Sequence, residues 1–394
     1  MDLSVPGLDA LDVSGKRVLV RVDFNVPLDD EGHITDDTRV RAALPTLRTI
    51  LERGGQPVLL SHLGRPKGAV VEGLRLNPVA ACLQSHLGRK VLKLDGSSGP
   101  EVEAAVDASN DVVLLENVRF HPGETKGDPE LARAYARLGD VFVNDAFGAS
   151  HRDHASVTGP ARLLPSAAGE LVQSEIQAFR RVLENPARPL VAILGGAKVS
   201  DKLKVVRNLL DRCDAVMVGG GMSYTFLRGQ GYEVGDSLVE ADQLEAVREN
   251  LRLAEEKGCA LLVPSDHVVA DRFAADALVE VTSEIPKGRM GLDIGPDTRE
   301  LYAQRIAAAR TVVWNGPMGV FEWEAFRAGT EAIGRAVAAS PGYTVVGGGD
   351  SVAALELLGL SDSVDHVSTG GGASLELLEG RVLPGFAVLG SVGG

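Results

Sequence analysis

The residues best equipped for chemistry fall at or just beyond the ends of apolar runs, and their types differ between the two halves of the chain. In residues 1–160 they are cationic. Arg21 lies in "RVLVRVDFNVPL", His62 and Arg65 in "SHLGRPKG", Arg119 in "LLENVRF", and His151, Arg152 and His154 in "VNDAFGASHRDHAS". Arg39 opens an amphipathic helical pattern in "TDDTRVRAALP". Guanidinium groups are planar, permanently charged donors, and several at the ends of strands in one sheet converge on one crevice suited to a small phosphorylated or carboxylated anion. Strand alternation in the first run hides Val18, Val20 and Val22 on one face and gathers Arg21, Asp23 and Asn25 on the other. For His62, His151 and His154 no metal-ligand set with carboxylates or thiols is apparent, so hydrogen-bonding or structural roles are expected of these three.

In residues 190–375 the corresponding positions carry glycine: "GGAK" at 195, "GGGMS" at 219, "NGPMG" at 315, "GGGDS" at 347 and "TGGGAS" at 369. Glycine between a strand and a helix lets backbone N–H groups approach a phosphate, and the helix N-terminus adds positive potential. Neither G-x-x-x-x-G-K-[ST] nor G-x-G-x-x-G is present. In "GGAKVSDK", Lys198 and Lys202 are four apart, which on the first turns of a helix puts both ammonium groups on one face. Two cations there oppose the helix dipole, a conflict that a polyphosphate resolves; the plain alternative is two solvated lysines. Asp350 in "GGGDS" suits either a Mg2+ ligand or a helix cap, and its position fits both.

The elements that must position these residues are short Val/Leu/Ile runs, each followed by polar or glycine residues and then a helical pattern. Continuous apolar strands separated by helices signal parallel sheets covered on both faces. The expected fold is α/β, with two doubly wound parallel-sheet (Rossmann-like) domains and one ligand site beyond the carboxyl strand ends of each. The stretch "PSAAGELVQSEIQAFRRVLENPARP" has helical spacing at Leu171, Ile176, Phe179 and Leu183 between proline-containing turns, and it reads as a hinge helix.

At 394 residues the chain is long for one core, and its net charge of -14 argues against a nucleic-acid or membrane-surface partner. Cys82, Cys213 and Cys259 lack C-x-x-C spacing and read as small core residues in a reducing compartment. Neither a secretory leader nor an apolar run of membrane-spanning length is visible, so a cytoplasmic location is expected.

Taken together, "RVDFNVPL", "DDTRVRAALPT", "SHLGRPKG", "LLENVRF", "VNDAFGASHRDHAS", "GGAKVSDK", "GGGMSYTF", "VVWNGPMGVFEWEAF", "GGGDS" and "STGGGASLELLEG" closely resemble the phosphoglycerate kinase family, in that family's order and over nearly the whole chain. The resemblance implies a monomeric kinase that moves phosphate reversibly between ATP and the carboxylate of 3-phosphoglycerate, giving ADP and 1,3-bisphosphoglycerate, with Mg2+. It implies a 3-phosphoglycerate domain over 1–168 completed by about 380–394, a hinge over 169–186 and a nucleotide domain over 187–379. By the same resemblance, Asp23 and Asn25 hold the glycerate while Arg39, His62, Arg65, Arg119 and Arg152 hold its charged ends. Arg21 belongs to the same basic patch, and Phe24, Leu63 and Gly64 fall inside the matching motifs. Gly196, Lys198, Lys202, Gly219, Gly220, Gly221, Leu292, Asn315, Glu322, Gly348, Gly349, Asp350 and Ser351 match the nucleotide side. Arg39 and Lys198 carry the catalytic expectation and Asp350 the metal. Glu170, Asp153, Ser265 and His267 depart from the family's usual residue types, and Asp153 is placed to pair with a neighbouring cation.

Two other readings of the residues compete. A nicotinamide-dependent dehydrogenase lacks its G-x-G-x-x-G here, and a two-lobed anion-binding protein leaves the glycine turns without a purpose.

Overall fold

The computed structural model describes residues 3–390, which fall into two compact units, 3–177 with 382–390 and 178–381. The division lies within the helix Glu170–Leu183.

The first unit holds a six-stranded parallel sheet in the order β3-β4-β2-β1-β5-β6, made of β1 (Arg17–Val22), β2 (Gln56–Leu60), β3 (Val91–Lys93), β4 (Val112–Leu114), β5 (Val141–Asp145) and β6 (Ser166–Ala168). The order reverses direction between β1 and β5, and ligands of open α/β sheets bind beside such a reversal. Helices cover both faces, so Val18, Leu19, Val20, Arg21 and Val22 are all buried. The polar strand face expected of Arg21, Asp23 and Asn25 is therefore not formed: β1 ends at Val22, Asp23 and Asn25 lie in the loop beyond it, and Arg21 is sealed inside. The helix Thr38–Glu52 buries Val40, Ala43, Leu47 and Ile50 against the sheet, leaving Arg39 at its start. The segment 382–390 docks on this unit through the stacked rings of Phe386 and Phe147 and a 2.8 Å bond from Gly385 N–H to Ser150 O.

The second unit holds β7 (Leu190–Leu194), β8 (Ala215–Val218), β9 (Ala260–Leu262), β10 (His267–Ala270), β11 (Val279–Thr282), β12 (Met290–Ile294), β13 (Thr311–Asn315), β14 (Tyr343–Gly347) and β15 (His366–Val367). Six of them form a parallel sheet, β15-β14-β13-β7-β8-β9, whose reversal lies between β7 and β13. "GGAK" and "NGPMG" follow these two central strands and so emerge at that reversal. Trp314, fully buried on β13, fills the core between sheet and helices.

Each apolar run seen in the sequence contains a strand of one of the parallel sheets. Unforeseen are β3 and β6, each three residues long, and an antiparallel sheet, β11-β10-β12, in the second unit. Its outer strand β11 is almost wholly exposed and mixes Val279 and Val281 with Glu280, which gave no core-like run to detect. Among the described residues, no helix is long and apolar enough to cross a membrane.

Candidate active site

Beyond the carboxyl ends of β1, β2, β4 and β5, the first unit assembles a nest of cations around one carboxylate. Arg39 Nη1 lies 2.5 Å from Asp23 Oδ2, and His62 Nδ1 lies 3.9 Å from Asp23 Oδ1. Arg65, Arg119 and Arg152 line an adjoining cavity of 490 Å³ together with Lys67, His121 and Lys126. Arg119 spans its wall, donating from Nη1 to Gly64 O at 2.7 Å, while its Nε is buried without a partner. Asn25 accepts the Gly64 N–H at 2.8 Å, so the loops after β1 and β2 are tied together. Phe24 and Leu63 are core residues and offer the site only their backbone.

Arg21 stands behind this nest. It is 1% exposed, donates from Nε to Ser156 Oγ at 2.9 Å and from Nη1 to Val22 O, and packs its Nη2 3.2 Å from His62 Nδ1. Burial lowers its pKa, opposed by the charges of Glu124 and Asp23. Glu124, which sequence reading missed, is fully buried and accepts from both Ser156 N–H at 3.0 Å and Ser156 O–H at 2.5 Å. Its burial raises its pKa while Arg21 pulls it down. Asn117 and Glu116 are a second hidden scaffold: Asn117 Nδ2 donates to Leu63 O at 2.7 Å, and Glu116 Oε1 accepts the Leu76 N–H at 3.0 Å. Buried polar residues inside apolar runs were the available signal.

The charges are felt collectively. Burial lowers the pKa of Arg119 to about 10, with Arg152 and Arg21 adding to the shift, and lowers that of Arg152 with Arg65 and Arg39 contributing. Burial and the same arginines hold His62 well below its ordinary value and His154 at about 4. Both imidazoles are thus neutral at pH 7. Asp23 feels burial as a rise, outweighed by His62 when that ring is charged and by Arg39 and Arg21; with His62 neutral the two arginines carry the downward pull. Asp153 does not temper the nest: its ion pair, at 3.0 Å, is with Arg162.

In the second unit a cavity of 510 Å³ opens beside the glycine turns. Gly196, Gly220, Gly221, Leu292, Glu322 and Asp350 line it, joined by Asp236, Leu238, Phe273 and Met290. Met290 comes from the antiparallel sheet, Phe273 from the loop joining β10 and β11, and Asp236 and Leu238 from the loop after the helix Met222–Gly229, a wall the sequence did not reveal. Phe273 is exposed and packs 4.7 Å from Trp323, ring to ring.

Several expected nucleotide residues stand behind this wall. Lys202 is buried, donating to Gly195 O at 2.6 Å and Asn315 O at 2.9 Å, and burial lowers its pKa to about 8. Ser351 is fully buried, its Oγ accepting the Gly316 N–H at 2.5 Å, and Asn315 Nδ2 is buried without a partner. Gly219 presses on Met318, where a Cβ would lie 2.4 Å from Sδ. Gly348 is the N-cap of the helix Gly349–Leu357, so Asp350 occupies its first turn rather than its cap, exposed at the cavity.

The shared helical face expected of Lys198 and Lys202 is absent. Gly196 (φ +115°) turns the chain, Val199 buries itself, and the helix starts only at Leu203. Lys198 is left exposed in the loop. Glu240 pins that loop by accepting from Ser200 N–H at 3.0 Å and Ser200 O–H at 2.6 Å.

A cation-rich nest in one α/β unit and a glycine-walled cavity with an exposed carboxylate in the other are features that suit a small-molecule phosphotransferase. The model of the family "Phosphoglycerate kinase" matches residues 8–381. The phosphoglycerate kinase of Moorella thermoacetica is 58% identical over 386 residues, covering 97% of this chain and 98% of its own. That of a Nostoc species is 54% identical over 394 residues, with 98% of each covered. Among solved structures, the phosphoglycerate kinase of Coxiella burnetii superposes with a TM-score of 0.89 at 42% identity, covering 98% of this chain and 99% of that one. The enzyme from Pyrococcus horikoshii gives 0.84 at 33% identity, covering 97% and 98%. The chain belongs to the phosphoglycerate kinase family: it is a phosphotransferase acting between ATP and the carboxyl group of 3-phosphoglycerate, a step of glycolysis.

Proposed function

We propose that the nest in the first unit holds 3-phosphoglycerate or 1,3-bisphosphoglycerate, that the glycine-walled cavity holds ATP or ADP, and that Arg39 and Lys198 stabilise the migrating phosphoryl group. The observation that carries this reading is the charge imbalance of the nest, where Arg21, Arg39, Arg65, Arg119 and Arg152 outnumber the carboxylates Asp23 and Glu124. Such an excess is satisfied by a ligand bearing phosphate and carboxylate. Asp23 and Asn25 face the hydroxyl-bearing carbon, with Asn25 held by Gly64. The acceptor carboxylate is already ionised at pH 7, so no general base is required, and the neutral His62 and His154 are not needed as one.

On the nucleotide side, Gly196, Gly220 and Gly221 offer close backbone approach, Leu292 and Glu322 flank the adenosine end, and Gly348 and Gly349 open the phosphate end. Lys202, Asn315, Gly219 and Ser351 hold this frame from behind, and Lys202 turns from its carbonyl partners toward a bound phosphate. Asp350 fits Mg2+, since it presents one hard, exposed carboxylate beside that phosphate end, and Mg2+ takes one or two carboxylates with phosphate oxygens and waters. Bound there, the ion offsets negative charge on the nucleotide. Lys198, exposed on its pinned loop, is free to follow the phosphoryl group in an in-line transfer.

We read the helix Glu170–Leu183 as the hinge whose bending brings donor and acceptor together and excludes water. The enzyme is taken to act as a monomer in the cytoplasm, in keeping with three free cysteines.

The test is an assay coupling product formation to NADH oxidation. Turnover should need ATP, Mg2+ and 3-phosphoglycerate together, and scattering should show compaction only with both substrates bound. ATP consumption indifferent to 3-phosphoglycerate would overturn the assignment of the nest.

A further inference from the structure

Away from both cavities, the first unit brings a thiol, an imidazole and a carboxylate to one spot. Cys82 and His86 are four apart on the helix Asn77–Leu87, so they share a face one turn apart. Asp37 reaches them from the residue preceding the helix Thr38–Glu52. One ligand atom from each lies within 4.8 Å of the others, and His86 Nε2 is 2.7 Å from Asp37 Oδ2. The work of an N-cap does not hold Asp37 there. Asp36 accepts the Thr38 N–H at 2.9 Å, whereas the Asp37 side chain makes no capping bond. Its carboxylate is turned outward to His86 and Arg41.

We propose that Asp37, Cys82 and His86 form a surface site for a borderline-soft divalent cation, Zn2+ being the type. Thiolate, imidazole and carboxylate are the three ligand classes Zn2+ accepts, and a site with three protein ligands keeps its fourth position for solvent. Bonds of about 2.0–2.3 Å set tetrahedral ligand separations of roughly 3.3–3.8 Å. The three side chains are thus a small rotation from binding geometry. All three are half-buried, so ordered yet reachable. Access is provided by a cleft of 770 Å³ lined by Asp36, Asp37 and Cys82. Arg41, 2.7 Å from Asp37 Oδ1, supports the carboxylate through the oxygen His86 leaves free, but its charge opposes the metal. Binding forms a Zn–S bond as the thiol proton passes to the buffer. The ion joins the start of the helix carrying Arg39 to the neighbouring helix Asn77–Leu87.

The cysteines make the site easy to isolate experimentally, since Cys213 and Cys259 are buried and Cys82 alone is half-buried. Full-length protein would be titrated with Co2+ and with Zn2+, following the thiolate-to-cobalt absorption band and the alkylation rate of Cys82 by iodoacetamide. Wild type should show the band, and Zn2+ should bleach it and protect Cys82. Cys82→Ser should remove the band, and His86→Gln should weaken Zn2+ binding at least tenfold, both with substrate turnover in Mg2+ buffer free of Zn2+ and Co2+ unchanged. Arg41→Gln should tighten binding, an effect that a misfolded variant cannot mimic. Zn2+ binding equal in wild type and Cys82→Ser, or a wild type without the band at saturating Co2+, would overturn the site and leave an ordinary His86–Asp37 ion pair.

Discussion

Arg39 and Asp23 form a close ion pair, 2.5 Å from Nη1 to Oδ2, at the mouth of the anion nest. Asp23 is only 11% exposed, and the lowering of its pKa by Arg39 and Arg21 means that the folded protein holds it ionised where an unfolded chain begins to protonate it. A carboxylate depressed in the folded state adds stability above its unfolded pKa near 3.9 and loses it as pH falls through the folded value. Asp23→Asn should therefore lower stability at pH 7 by an amount on the order of 1 kcal/mol. The gap between wild type and variant should narrow as pH falls below about 4. Urea midpoints across that range measure it; a gap independent of pH would show that Asp23 acts through packing alone.

The same pair bears on catalysis. On the proposed reading, Arg39 exchanges one anionic partner for another when substrate binds, whereas Lys198, exposed and without an ion pair among the described residues, has only the phosphoryl group to serve. Arg39→Ala and Lys198→Ala should each cut kcat by about 100-fold or more, the scale of losing a donor aimed at developing charge. KM for either substrate should change much less. Steady-state kinetics with each substrate varied decides it: unchanged kcat with raised KM would move both residues to ground-state binding.

How much of this was legible in the sequence follows from where each signal lived. The strands of the two sheets were readable because parallel strands covered on both faces are continuous apolar runs. The positions of Arg65, Arg119 and Arg152 followed from those strand ends. Arg21 misled, because alternation assumes one wet face, and here helices cover both, so a guanidinium at a strand position is buried beside Glu124 and Ser156. Lys198 and Lys202 misled for a different reason. Four-residue spacing means one face only inside a helix, and the helix begins after both, at Leu203. Glu240, Asn117 and Phe273 carried no periodic signal, since each acts through a partner distant in the chain.

The buried Lys202 predicts a proton linkage. Burial drops its pKa from 10.5 to about 8. Above pH 8 the folded protein has released a proton that the unfolded chain keeps until about 10.4, so this residue's contribution to stability rises with pH between those values. Nucleotide binding runs the other way, because phosphate favours the ammonium and takes the proton back up. Calorimetry of ADP binding at pH 8.5–9, in buffers of different ionisation enthalpy, should show proton uptake of about half or more per nucleotide. Lys202→Met should abolish it. Uptake persisting in the variant would assign the proton elsewhere.

Glycine in the nucleotide half serves two purposes that substitution can separate. Gly316 has φ +103°, and a Cβ there would meet Gly195 O at 2.2 Å and Lys202 Nζ at 2.5 Å. Both the left-handed backbone and the clash oppose alanine, and the backbone carbonyl has nowhere to yield. Gly316→Ala should cost on the order of 3 kcal/mol or more and lower the thermal midpoint even without ligand. Gly349 is the opposite case: it opens the helix Gly349–Leu357, and a Cβ there would find nothing within 4 Å. On the proposed reading, the space it leaves is needed only when a phosphate arrives. Gly349→Ala should melt like wild type, or slightly later since alanine favours a helix, yet raise KM for ATP severalfold with KM for 3-phosphoglycerate unchanged. Melting curves with and without ADP, beside the two KM values, separate the purposes. A Gly349→Ala protein with wild-type ATP kinetics would show that the phosphates pass elsewhere, and the assignment of Gly348 and Gly349 to their cradle would fall with it.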